Sequence, residues 1–432
     1  MRRWLALVCL CVATPARAEH PLSLTDAIRL ARGHRSETAQ AEIDIRRAKL
    51  GVLRAWLERA HLTVQASFAE QAQQLNLNGP SQVCTLTPAT CAVEAHAFSA
   101  QANLTVPLWS GFRVEADLAR ARAQEQVAHA GLRAALNSIA LDAATTYWEV
   151  RRAELTIDVA RRSLARVQEI EHAARVRVEA GIAPQVDLER AHVSTLRQAE
   201  TVAALDGVRA QARAQLGAAL QVEDDFVLSE NPKLHAPNLP RLENVLAEAA
   251  SFRPELAGAR AQVEVQAQAV RVARSGYWPQ ISLFGTATAG NTFLYIPQER
   301  ASFLYTVIGG LQADWLLFDS LSTWTAVKDA RLLRDRAQLD EARTRAQVRA
   351  DVQSAHGQLA AALARARIAA EAVEAAGRAL YLLQKRYQVG SAILLEVLVA
   401  QSDLTQLEGD QLDAEVATAE AEAALAAAVG RL

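Results

Sequence analysis

The 432 residues are 51% hydrophobic but only 5% aromatic, with a single methionine and a net charge of −2. An alanine-rich, periodic and largely apolar chain excludes disorder and points to long helices packed through small side chains. The near-neutral balance excludes a nucleic-acid binder, because no basic excess is present to hold phosphates.

The chain opens with Arg2 and Arg3, continues with an apolar stretch over 4–13, and reaches Ala16-Arg17-Ala18. A basic start, an apolar core and a small-x-small site read as an export signal over 1–18. Cys9 and Cys11 belong to that signal and follow no lipoprotein-type box, so no lipid anchor is expected. No later apolar run is long enough for a transmembrane helix.

A helix is expected over 24–59. Leu62, Val64, Ala66 and Phe68 then alternate with Thr63, Gln65 and Ser67, and Phe98, Ala100, Ala102, Leu104 and Val106 alternate with Ser99, Gln101, Asn103 and Thr105. Period two with one apolar face predicts two strands. Between them "NGPSQVCTLTPATC" carries Cys84 and Cys91. In an oxidising compartment so close a pair reads as a disulfide, with free thiols as the alternative. The spacing matches no zinc pattern.

From Gly111 to Gly181 runs a helical pattern of about 70 residues, roughly 105 Å at the helical rise. A shorter helix over 184–220 follows, with Pro184 near its first turn. Pro232, Pro237 and Pro240 make 221–240 a connecting segment. The series then restarts: a helix over 241–275; strands carrying Ile281, Leu283 and Gly285, then Phe303, Tyr305, Val307 and Leu311; a second long helix; a glycine; and a last helix over 393–430. "RVEAGIAPQVDLERA" begins at Arg177 and "RYQVGSAILLEVLVA" at Arg386, an offset of 209 that also relates Gly181 to Gly390 and Asp187 to Glu396. The chain therefore divides into two repeats, 19–220 and 241–432.

The second long helix places Val348, Val352, Ala355, Leu359, Ala362, Ala366, Ala369, Val373, Ala376, Leu380, Leu383 and Tyr387 at alternating spacings of four and three. Ile393, Val397, Ala400, Leu404 and Leu407 continue the pattern after the break. A 3.5-residue repeat predicts a coiled-coil seam, so the two helices form an antiparallel hairpin. Gly390 suits a left-handed helix end, and Ser391 is placed to cap the next helix.

These parts constrain one another. An exported chain lacking a membrane helix spans a membrane only as a closed barrel, and four strands are too few to close one. Three copies supply twelve strands. No catalytic constellation accompanies them: the nine histidines are scattered, and phosphate-loop and dinucleotide-turn patterns are missing. The chain is read as a non-enzyme with no cofactor and no metal site.

At this point "RYQVGSAILLEVLVAQSDL", "VPLWSG", "YWPQISL" and the two-fold repeat together resemble the TolC family of outer-membrane efflux proteins over nearly all of the mature length. The resemblance implies a mostly α fold with a small β part: duplicated long coiled-coil hairpins plus four strands per chain. Such chains form a trimeric twelve-strand barrel in the outer membrane of a Gram-negative bacterium, continued by a periplasmic α-helical barrel. It further implies a homotrimeric export duct in outer-membrane lipid, served by a periplasmic adaptor and an inner-membrane pump. A polypeptide-secretion conduit shares this architecture, whereas a periplasmic coiled-coil adaptor would show one hairpin beside a small β-domain.

The resemblance also implies roles at the two breaks. Gly181, Ile182, Val389, Gly390 and Ser391 correspond to adaptor-docking tips. Asp187 and Tyr387 correspond to an acid–tyrosine link that closes the mouth, and Glu396 to an acid lining the constriction. Each has a simpler reading: glycines that end helices, acids that favour a helix N-terminus, and a tyrosine that continues the seam. Two departures stand out. Ala60 occupies the place that Pro279 holds in the second half, and Ala392 stands where the family pattern carries an arginine. The expected closed state is accordingly weak, with an acidic, cation-preferring mouth.

Overall fold

The computed structural model describes residues 20–74, 92–221, 226–232, 239–291 and 303–432. Cys84, Cys91 and the export signal lie outside those residues.

Both halves use the same parts. Strand β1 (His20–Leu22) leads into α1 (Leu24–His34), α2 (Ser36–Leu57), β2 (His61–Gln74), β3 (Ala92–Trp109), α3 (Arg113–Glu179) and α4 (Gln185–Leu220). After β4 (Phe226–Leu228) come α5 (Leu242–Phe252), α6 (Pro254–Ser275), β5 (Gln280–Asn291), β6 (Phe303–Asp314), α7 (Ser322–Gln388) and α8 (Leu394–Val429). Corresponding helices have equal lengths of 11, 22, 67 and 36 residues.

The helices expected over 24–59 and 241–275 are each broken, at Arg35 and Arg253. Both residues are extended and end the preceding helix through bonds to Ala31 O and Ala249 O. The cause is tertiary in both halves. Arg35 Nε donates to Ala219 O at 2.9 Å and its guanidinium pairs with Asp142. Arg253 Nη1 donates to Ala427 O at 2.7 Å and Nη2 pairs with Asp351 at 3.2 Å. Arg35 satisfies a carbonyl left over at the C-terminus of α4, whereas Arg253 joins Gly430 N–H and Asn137 Nδ2 on Ala427 O at the C-terminus of α8. Pro254, with no N–H to donate, reinforces the second break.

The described residues group into two compact units that cut across the duplication. The unit drawn from Ile43–Ala130 and Leu256–Thr344 contains a four-stranded antiparallel sheet in the order β2-β3-β5-β6. Register aligns the apolar positions of all four strands: Leu62 faces Leu104, Val106 faces Leu283, and Leu283 faces Leu311. Leu62, Val64, Leu104, Leu283, Tyr305, Val307 and Leu311 nevertheless remain exposed. The opposite face carries Thr63, Gln65, Gln101, Asn103, Thr306 and Gln312, with Gln101 Nε2 donating to Asn103 Oδ1 at 3.0 Å. The strands are 12 to 18 residues long. A membrane barrel strand needs about 9–11.

Strand leads into helix through the same left-handed step in both halves. Gly111 and Phe112 have φ 61° and 66°, and their counterparts Ser320 and Leu321 have 53° and 70°. Ser110 Oγ accepts from Val114 N–H at 3.3 Å, and Asp319 Oδ2 accepts from Thr323 N–H at 2.7 Å. Each thereby satisfies a donor of the first helical turn.

The second unit draws on Met1–Glu42, Gly131–Glu255 and Arg345–Leu432. One core gathers Ala27, Ala143, Tyr147, Leu216, Phe226 and Val416. The 221–240 segment is not merely a connector, because β4 pairs in parallel with β1. Tyr147, fully buried, donates its hydroxyl to Leu22 O at 3.1 Å and accepts from Glu230 N–H at 3.2 Å, holding both pieces. The predicted seam is buried or half-buried from Val348 to Tyr387. On α8 it starts at Leu394 and Val397, because Ile393 is an exposed N-cap. A second buried face of α8, with Leu412, Val416 and Ala423, lies outside the heptad pattern.

Candidate functional site: the paired hairpin tips

Both long helices stop by one mechanism. Gly181 has φ 73°; its N–H reaches Val178 O at 2.9 Å, and Ile182 N–H reaches Arg177 O at 2.9 Å. Gly390 has φ 81°; its N–H reaches Tyr387 O at 3.0 Å, and Ser391 N–H reaches Arg386 O at 2.8 Å. This is the double-bonded left-handed helix end, which satisfies two last-turn carbonyls and favours glycine. Ser391 does not cap α8. Its hydroxyl donates back to Arg386 O at 3.1 Å, and the N-caps of α4 and α8 are Pro184 and Ile393, with no side-chain bond.

Gly181, Ile182, Val389, Gly390 and Ser391 are all exposed. Asp187 and Glu396 occupy first turns, the former half-buried and the latter exposed. Behind them Ile170, Ala174, Ala191, Leu380, Tyr387, Leu394 and Val397 form one core, joining all four hairpin helices.

Tyr387 is only 6% exposed, and its hydroxyl finds no hydrogen-bond partner among the described residues. Burial raises its pKa; Arg177 opposes the rise, and the nearby negative charge of Asp187 adds to it. The two side chains are thus near enough to feel one another, yet the acid–tyrosine hydrogen bond is not made. Arg177 makes the connection between hairpins instead. Its guanidinium lies 4.7 Å from the centre of the Tyr387 ring, and Nη1 donates to Tyr387 O at 2.7 Å and Gln388 O at 3.3 Å. The sequence pattern assigns Arg177 no role. Its only signal is position: it supplies the carbonyl of the first helix end, one turn before the break.

Above the tip a second cluster joins α3 to α4. Glu171, 8% exposed, is approached by Arg175 Nη2 at 3.0 Å and His192 Nδ1 at 3.2 Å. A hydrogen bond from Thr195 chiefly lowers its pKa, burial opposes this, and His192 and Arg175 lower it further.

Helices α3, α4 and α8 also enclose an open groove of about 760 Å³. Val186, Val193, Leu395 and Val399 form exposed apolar walls. Its floor holds Ser163 and Gln401, each 1% exposed. Gln401 Nε2 donates to Thr405 Oγ1 at 3.0 Å, and the Ser163 and Thr405 hydroxyls lie 2.8 Å apart. Among the described residues no cluster of His, Cys, Asp and Glu could hold a metal.

Comparison with known proteins agrees with this geometry. The family model for outer membrane efflux proteins matches residues 30–221 and 245–431. The chain is 24% identical over 331 residues to the outer membrane efflux protein BepC of Brucella suis biovar 1, covering 76% of this chain and 71% of that one. Its fold superposes on VceC of Vibrio cholerae with a TM-score of 0.75 at 18% identity, covering 94% of this chain and 96% of that one. It superposes on the open state of the MtrE channel of Neisseria gonorrhoeae with a TM-score of 0.76 at 19% identity, covering 94% and 88%. A duplicated pair of helical hairpins, a four-stranded sheet with an exposed apolar face and a family match across both halves lead to one conclusion: the chain belongs to the outer membrane efflux protein family.

Proposed function

We propose that the protein is the trimeric outer-membrane duct of a tripartite efflux system, conducting passively what a pump and an adaptor deliver. The observation that carries this is the sheet. Its edges β2 and β6 have no partner strand among the described residues, and its apolar face is uncovered. In lipid such edges must be paired, and closure of three copies pairs them all. Mass measurement in detergent is expected to give three chains, in a complex that dissociates on heating. A stable folded monomer recovered from membranes would overturn the reading.

Within that duct the paired tips are the gate and the adaptor contact. Arg177 holds one hairpin against the other through Tyr387, Asp187 lies beside that contact, and Glu396 faces the constriction. Gly181, Ile182, Val389, Gly390 and Ser391 meet the adaptor, whose helical tips continue along the apolar groove of Val186 and Leu395. Glu396→Ala is expected to weaken block by multivalent cations in a planar bilayer. Unchanged block removes Glu396 from the mouth.

A further inference from the structure

Where β6 meets α7, a cavity of about 570 Å³ is lined by Tyr277, Trp278, Trp315 and Trp324 together with Arg274, Lys328 and Arg331. Among the described residues no acidic side chain lines it. Lys328 Nζ lies 4.8 Å from the centre of the Trp324 ring, and Trp315 Nε1 donates to Tyr277 O at 3.3 Å. Among the described residues none of the three cations has an ion-pair partner. On the strand side Asp314, next to Trp315, accepts from Gln312 Nε2 at 2.9 Å, and Asp319 is committed to Thr323 N–H at the start of α7.

Placement narrows the ligand. The apolar sheet face runs through Tyr305, Val307 and Leu311 on β6, and Trp315 extends that odd-numbered alternation one step past the strand end. The cavity therefore opens at the border of the lipid-facing surface. There aromatic rings sit at headgroup level and cations meet lipid phosphates. A soluble anion would need only the charges, whereas four aromatic residues beside three cations offer apolar surface for glycerol and the first acyl carbons as well.

We infer that this cavity seats the phosphate headgroup of a membrane glycerophospholipid, held by Arg274, Lys328 and Arg331 between tryptophan faces. The inference rests on the sheet lying in the outer membrane but not on the trimer gate.

The test is native mass spectrometry of the full protein in detergent with phosphatidylglycerol added, beside inorganic phosphate and glycerol phosphate as competitors. The parent is expected to retain phosphatidylglycerol. Arg274→Gln, Lys328→Gln and Arg331→Gln together should weaken retention about 100-fold, and each alone about fivefold. The single substitutions carry the test if the triple variant fails to assemble. Channel formation by the variants in planar bilayers separates loss of this site from loss of the duct. Equal lipid retention by parent and variants overturns the inference, and so does displacement of the lipid by inorganic phosphate at equal concentration.

Discussion

Substitution at Tyr387 separates its part in folding from its proposed part in the gate. Its hydroxyl is buried without a partner, so Tyr387→Phe removes an uncompensated polar group and should leave the melting temperature unchanged or raise it, by about 1 kcal/mol of stability. If the hydroxyl meets a neighbouring group only in the closed mouth, the same variant raises single-channel conductance. Arg177→Gln acts oppositely on stability. It removes two charge-assisted bonds and a ring contact, costing about 1–3 kcal/mol, and should raise conductance further. Glu171 predicts a pH effect. Its folded pKa is lowered, so its stabilisation is present above the usual carboxylate range and is lost as pH falls through the lowered value. Thermal unfolding followed across acid pH should show this loss in the parent and not in Glu171→Gln.

At the scale of elements, the left-handed steps rank the glycines. Gly181 has positive φ but open space where a methyl would sit, so Gly181→Ala costs only the backbone penalty of about 1–2 kcal/mol. At Gly111 a Cβ would come within 2.8 Å of Trp278 Cβ and 3.1 Å of Ser275 O, adding a clash to the same penalty. Gly111→Ala should therefore depress the melting temperature more than Gly181→Ala. Equal losses would show that the contact with Trp278 relaxes freely. Ser320 occupies the twin step at φ 53°, so the turn itself tolerates a side chain and Trp278 makes the difference. This asymmetry between matched junctions cannot be read from "VPLWSG" and "WLLFDS", because Trp278 approaches from 167 residues away.

For the whole molecule, the two faces of the sheet predict opposite tolerances. Val307→Arg places a charge on the lipid-facing side and should cost about 2–4 kcal/mol near the middle of the membrane, lowering the yield of assembled protein in outer-membrane fractions. Thr306→Arg, one residue away on the polar face, should assemble normally and change conductance or ion selectivity. Equal behaviour of the two variants would remove the assignment of inside and outside.

The periodicities were legible because they are local. Alternation at Leu62–Val64–Ala66 and the four–three spacing from Val348 to Tyr387 follow from where successive Cβ atoms point on a strand or a helix. The duplication, the glycine ends and the acids in the first turns were readable for the same reason. What needed the tertiary structure were contacts between residues far apart in sequence: Arg35 and Arg253 breaking helices by serving distant carbonyls, β1 pairing with β4, and Arg177 taking the place of a direct bond between Asp187 and Tyr387. A helix pattern fixes which face a side chain occupies, but a guanidinium on a long flexible stem chooses its partner only after the chain has brought carbonyls, rings and carboxylates within reach.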